Sequence, residues 1–236
     1  MLKGKVENIN NISANDIEVM FKLMYKYYSN INKDSFIADL NKKTQVIILR
    51  EEDSNEIKGF STIVFYDLNI DSKKVKILFS GDTIIHQDYW AHNDLANVWL
   101  KFAIQKQQEY KEPLYWLLIS KGYKTYKYLN TFFKTYYPNP ASEIPEFEQK
   151  IIDEFGKVFY PDKYDKEAGI LRINREKDYL KEEIAKISEE KIKNDKVVKF
   201  FLEKNPEYYK GNELICITNL STENVNKAGK RLLGLQ

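Results

Sequence analysis

The sequence predicts an α/β protein in which a mixed, mostly antiparallel central sheet is flanked by helices and a C-terminal α/β lobe is appended. Three observations carry this reading. Apolar, β-branched runs at residues 44–50, 57–68 and 75–85 follow one another across short polar links, and links that short join antiparallel neighbours. Before and after these runs, apolar residues recur at helical spacing. Residues 137–145 hold three of the six prolines, and the composition shifts beyond them, which marks the best boundary in the chain.

Residues 5–10 read as a short strand. Ser13, Asn15 and Asp16 are helix-capping types ahead of Ile17, Met20, Phe21, Met24 and Tyr28, so an amphipathic helix follows. Asn32 and Asp34 open a second helix to about residue 42, with Phe36, Ile37 and Leu40 on one face. After the three strands the period changes: Leu95, Trp99, Phe102 and Ala103 mark a helix over residues 93–110. The continuous apolar run at 114–119 suits a buried strand, and a helix is expected over 123–136. Past the prolines, the pattern predicts helices near 146–157, 175–194 and 195–203 and strands at 169–173 and 213–219. The chain is thus expected to divide into a core, residues 1–140, and a lobe, residues 141–236, that packs on it and walls a pocket.

With 236 residues the chain can bury a core without cross-links. Its single cysteine, Cys216, lies in an apolar run and has no intrachain partner, which points to a reducing compartment and a buried small hydrophobe. No run approaches the ~20 apolar residues of a membrane span, and the start of the chain lacks the apolar core of a secretion signal, so a cytoplasmic location is expected. Lys+Arg 37 against Asp+Glu 35, a net charge of +2, argues against a dedicated duplex-DNA binder. Gly-x-Ser-x-Gly, P-loop and Gly-x-Gly-x-x-Gly motifs are all missing, which removes serine-hydrolase, nucleotide-hydrolase and Rossmann readings. Asp82, His86, Asp88 and His92 cluster in sequence without His-x-x-x-His spacing or a cysteine pair, so no metal site is expected.

The order strand, helix, helix, three antiparallel strands, helix, strand, helix over the first 137 residues resembles the GNAT superfamily of N-acyltransferases. Ile57-Lys58-Gly59-Phe60 is similar to the isoleucine/valine-x-glycine-phenylalanine that opens that family's third strand. Residues 88–93 stand where the family carries its pyrophosphate loop, between a strand and the N-terminus of a long helix. The resemblance implies an N-acyltransferase that moves an acyl group from a thioester carrier to a small amine or amino acid. The carrier is acyl-CoA or acyl-phosphopantetheine on an acyl-carrier protein, the latter as in the acyl-amino-acid and acyl-homoserine-lactone synthase branch.

By that resemblance the donor lies along Ile84, Ile85, Tyr89, Trp90, Ala91, His92, Asn93, Asp94 and Leu95. A helix N-terminus leaves backbone N–H groups unpaired and carries about half a positive charge, so the amides of residues 89–95 are the expected phosphate donors. The family's loop, arginine-glycine-x-glycine-x-glycine, is matched by Trp90 through Leu95, with neither the arginine nor any of the glycines.

Acyl transfer to an amine needs a base, donors to the carbonyl oxygen and an acid for the leaving thiolate. The resemblance puts the thioester between the fourth and fifth strands. Asp82 or His86 is then the base, amides near residues 83–85 the oxyanion donors, and Tyr123 or Tyr126 the acid. Lys121, Lys124, Lys127 and Lys134 occupy a stretch with no carboxylate, a basic face suited to an acidic acyl-carrier protein. The same Lys/Tyr-rich segment, 121–137, supports a non-catalytic alternative, a protein partner or single-stranded nucleic acid whose bases stack on the tyrosines.

Overall fold

The computed structural model describes residues 1–235. The chain opens with β1 (Leu2–Asn8), α1 (Ala14–Tyr27), β2 (Tyr28–Ser29) and α2 (Lys33–Leu40), then the meander β3 (Gln45–Glu51), β4 (Ile57–Ile70) and β5 (Lys73–Ile85). It continues through α3 (Asp94–Glu109), β6 (Leu114–Ser120), α4 (Tyr123–Phe132) and α5 (Glu146–Phe159). The C-terminal part holds β7 (Tyr164–Asp165), β8 (Ile170–Leu171), β9 (Tyr179–Leu180), α6 (Glu182–Ala185), α7 (Glu189–Asn194), α8 (Lys196–Lys204), β10 (Glu213–Asn219) and α9 (Lys227–Leu233).

Local chemistry explains most boundaries. Ser13 Oγ accepts from the Asp16 amide at 3.1 Å and Asn32 Oδ1 from Ser35 at 3.0 Å, capping α1 and α2. Between β4 and β5, Asp71 and Ser72 both take left-handed backbone angles, φ 48° and 66°. That is the two-residue turn whose twist matches an antiparallel hairpin. α4 ends at Phe132, short of the expected 136, because Phe133 turns extended and bridges Val225.

One eight-stranded sheet runs β1-β3-β4-β5-β6-β10-β8-β7, antiparallel throughout except for the parallel pair β5 and β6. This is the mixed, mostly antiparallel sheet expected from the sequence, a meander followed by a helix-linked parallel strand. β3 is apolar at consecutive positions because both of its faces are covered. Ile47, Leu49, Ile63 and Leu78 pack under α3, α4 and α8. On the other face, Val46, Ile48 and Phe60 meet α1 and α2, and Val64, Ile77 and Phe79 meet α5.

Two findings concern the C-terminal part. Residues 141–236, expected as a lobe on the core, continue the same sheet: β10 pairs along β6 from Leu214↔Ser120 to Asn219↔Tyr115, and β8 and β7 extend it. The charged stretch expected as one helix over 175–194 is instead broken into β9, α6 and α7. Asn174 and Arg175 turn left-handed, and β9 then pairs with β2 through Tyr28↔Leu180 and Ser29↔Tyr179. A long-range backbone ladder overrides the helix propensity of the charged residues. Among the described residues, no helix is long and apolar enough to cross a membrane.

Candidate active site

The site begins where one strand pair comes apart. β5 pairs with β6 from Lys76↔Leu114 to Ser80↔Leu118, yet β5 continues to Ile85 and β6 to Ser120. Past Ser80 the strands diverge and open a cleft of about 1090 Å³. The local cause is in β5: Ser61 faces Thr83 and Ile63 faces Ser80, so Thr62 alone stands opposite Gly81 and Asp82. This extra residue is a β-bulge, which bends the strand and re-aims its side chains. Gly81 lets Thr62 and Lys43 close on the bulge, since a Cβ would lie 2.6 Å from Thr62 Oγ1 and 2.7 Å from Lys43 Cε.

The bulge sets Asp82 in a charged wall of the cleft that also holds Lys121, Asp178 and Glu213. Lys121, just past β6, pairs with Asp178 and, at 3.5 Å, with Glu213, the first residue of β10. Its ammonium also sits 5.4 Å from the centre of the Tyr28 ring. Burial works against the Lys121 charge, but Glu213 and Asp178 together hold its pKa well above the ordinary lysine value. Burial pushes the Glu213 carboxyl up, against the pull of Lys121. Asp82 has no ion-pair or side-chain hydrogen-bond partner among the described residues. Burial pushes its pKa up to about 7; Lys121 and Lys43 oppose that rise, while Asp178 and Asp39 reinforce it. A carboxyl poised near neutral pH is matched to proton abstraction.

The other expected catalytic side chains separate. Tyr123 lines the cleft, with Lys191 Nζ 5.0 Å from its ring centre. Tyr126 does not: it is fully buried, and its hydroxyl donates to the Pro138 carbonyl at 2.7 Å. Burial raises its pKa far beyond the phenol range, so its expected role as acid is corrected to a core role. His86 is also outside the cleft. Its Nε2 lies 2.7 Å from Lys26 Nζ and its Nδ1 3.3 Å from Asp88, so both ring nitrogens are engaged in pinning the chain after β5, and the expected base role is withdrawn.

The expected phosphate loop is a turn of 3-10 helix over Gln87–Tyr89 leading to α3. Side chains hold it where glycines would otherwise shape the backbone: Tyr27 Oη accepts from the Gln87 amide at 2.8 Å, and the Tyr89 hydroxyl donates to Glu51. The expectation of donors across 89–95 is narrowed, because the amides of Tyr89, Trp90 and His92 bond to His86, Gln87 and Tyr89 carbonyls. The amides of Ala91, Asn93, Asp94 and Leu95 have no partner among the described residues, and Asn93 leaves the helix start without a side-chain cap. Asp94 is the opposing element: its Oδ2 is buried without a hydrogen bond, 3.5 Å from His92 Nδ1.

Ile84 is buried against α1, and its neighbour Ile85 offers a carbonyl that accepts from the Trp90 indole N–H at 2.8 Å. Lys124 Nζ sits 3.2 Å above the Trp90 ring, bridging the two lips of the cleft. Burial, with Lys191 nearby, lowers the Lys124 pKa.

The expected basic face is largely consumed within the chain. Lys121 is in the buried cluster, Lys127 pairs with Asp195 at 2.6 Å, and Lys134 donates to the Glu223 carbonyl at 2.6 Å. The tyrosines at 123, 126 and 136 are buried and offer no exposed row for stacking bases. Sequence reasoning missed Asp178, Glu213, Lys43 and the buried state of Lys121. The signals were faint: a lysine ending an apolar strand and a glutamate opening another.

No family model matches the chain, and no curated protein matches it. Among solved structures, it is similar to a probable N-acyltransferase from Enterococcus faecalis at 12% identity and TM-score 0.43, over 57% of this chain and 33% of that one. It therefore spans a third of that structure. A predicted acetyltransferase from Clostridium acetobutylicum, solved with acetyl-CoA, aligns at 13% identity and TM-score 0.43, over 61% of this chain and 96% of that one. A GNAT family N-acetyltransferase from Escherichia coli in complex with CoA aligns at 10% identity and TM-score 0.38, over 56% and 69% of the two chains.

Proposed function

We propose that this chain is an N-acyltransferase that moves an acyl group from a thioester on a phosphopantetheine arm to a small primary amine, with Asp82 as general base. The observation that carries the proposal is Asp82 itself: an unpartnered carboxyl with a pKa of about 7, set by a β-bulge into the mouth of a strand splay. At the other end of the same cleft stand the free amides of Ala91 and Asn93, just ahead of α3, suited to a phosphate.

The donor arm runs through the splay along residues 83–85, with its phosphates toward Asn93 and its thioester beside the bulge. The amine arrives from the α1/α2 side as an ammonium. Asp82 removes its proton, the nitrogen attacks the carbonyl carbon, and the carbon–sulfur bond breaks as the tetrahedral adduct collapses. Tyr123, on the cleft wall, protonates the departing thiolate and regains its proton from the adduct nitrogen, which becomes the amide N–H, while Asp82 releases its proton to solvent. Free acyl-CoA suits the cleft better than a carrier-protein thioester, because the lysines that would dock an acidic carrier are mostly paired internally.

The test is incubation of the protein with acetyl-CoA and a panel of primary amines and amino acids, following thiol release and product mass. Amine-dependent thiol release with an acylated product is expected. Absence of transfer to every amine, together with no thermal stabilisation by any acyl thioester, would overturn the reading.

A further inference from the structure

Next to the cleft, on the α3/α4 face, lies a small pocket of about 40 Å³ lined by Leu95, Ala96, Trp99, Trp116, Leu118 and Phe132. Gly81, Thr83 and Ile119 line both spaces, so the pocket is a side chamber of the splay. Thr125 and Tyr128 line it only where it joins the cleft, and the polar groups of its inner wall are turned on one another. Ser80 Oγ accepts from the indole N–H groups of both Trp99 and Trp116, each at 3.1 Å. The hydroxyls of Ser61 and Thr83 bond each other at 2.8 Å. The inner wall leaves a water little beyond the Ser80 hydroxyl proton as a partner, so the chamber favours an alkyl group over water, which needs two or more polar partners to stay in a buried site.

We propose that this chamber is a socket for a short alkyl group and that Trp99 and Trp116, locked by Ser80, set its depth. Resting on the acyl-transfer reading for the identity of that group, the occupant is the donor's acyl tail. A volume of about 40 Å³ holds about three methyl-sized atoms. The tail beyond the carbonyl is therefore limited to about three carbons, so acetyl to butyryl thioesters are accepted and octanoyl is refused. The rings cannot swing aside at little cost, since Trp99 and Trp116 pack with centroids 4.1 Å apart and would leave their N–H groups unpaired in the core.

Two measurements test this. In the first, 1-propanethiol is titrated into the protein while the indole N–H resonances are followed by NMR. Saturable shifts at Trp99 and Trp116, lost in Ala96→Val, are expected; shifts confined to Trp90, or none, overturn the socket. In the second, transfer rates are compared for acetyl-, butyryl- and octanoyl-CoA. The octanoyl rate should fall at least about 50-fold below butyryl, since each misfit methylene costs roughly tenfold or more. Ala96→Val, which fills the chamber, should lower the butyryl-to-acetyl ratio about tenfold, and Leu95→Ala should raise the octanoyl-to-acetyl ratio. Equal rates across the series with unchanged ratios in both variants overturn the socket while acyl transfer stands. Propanethiol binding without transfer from any thioester leaves the socket standing and removes the acyltransferase reading.

Discussion

The two faces of the splay are built from the same strands and differ in almost every physical respect. On the α1/α2 face, the bulge and the strand ends bring Asp82, Lys121, Asp178 and Glu213 together, a polar chamber whose charges are only partly balanced. On the α3/α4 face, a few residues away, Trp99, Trp116 and Leu118 wall a largely apolar pocket. The bulge explains how this is possible: strict alternation would put Ser80 and Thr83 on opposite faces, but the extra residue at Gly81–Asp82 resets it, so a single strand supplies Ser80 and Thr83 to one compartment and Asp82 to the other. A divergence of two strands thus yields two compartments of opposite polarity sharing one opening.

The comparison can be broken most severely on the charged side. Lys121→Met strands Asp178 and Glu213 in the interior, and removal of one member of a buried ion group costs about 3–5 kcal/mol. Denaturant titration should show that loss with an unchanged m-value. The apolar side is next. Ser80→Ala orphans two indole N–H groups, at about 1–3 kcal/mol each, and should perturb the Trp99 and Trp116 fluorescence. Smaller is Tyr126→Phe, which removes only the hydrogen bond to the Pro138 carbonyl. A loss of about 1 kcal/mol is expected, with turnover at the wild-type rate. Smallest is Lys124→Ala at the lip, where loss of the contact with Trp90 should cost under about 1 kcal/mol and increase acrylamide quenching of that indole.

What was legible in the sequence was local. Ser13 and Asn32 cap the helices they were expected to cap, the period change at Leu95 starts α3, and the run 114–119 is a buried strand. These depend on neighbours a few positions away. What was not legible depends on partners far along the chain. Lys121 reads as part of a basic helix until Asp178 and Glu213 are folded against it. His86 reads as a candidate base until Lys26 meets it. Tyr126 and Tyr123 stand three positions apart on one helix, yet the first points to Pro138 and the second to the cleft. The charged residues 176–194 carry no apolar period strong enough to resist β2, and β10 joins β6 across nearly 100 positions, so the boundary at the prolines leaves no break in the sheet.

Asp82 ties site and stability together. Its native pKa of about 7 lies above the ordinary 3.8, so the native state binds this proton more tightly than the unfolded chain does. That contribution is full below pH 4 and is lost as the pH rises through about 7. At about 1.4 kcal/mol per pKa unit it amounts to roughly 2–4 kcal/mol, allowing for partial access to water. Ionisation that costs stability is the same ionisation that makes the carboxylate a base.

The most direct measurement is therefore the pH profile of amine acylation from pH 5 to 9 for the wild type and Asp82→Asn, paired with the melting temperature of each. The account predicts a wild-type kcat/KM that rises with an apparent pKa near 7. In Asp82→Asn it predicts loss of that rise, activity lower by about 100-fold or more, and a higher melting temperature at pH 8. An Asp82→Asn protein that keeps wild-type activity and the same rise near pH 7 would contradict it.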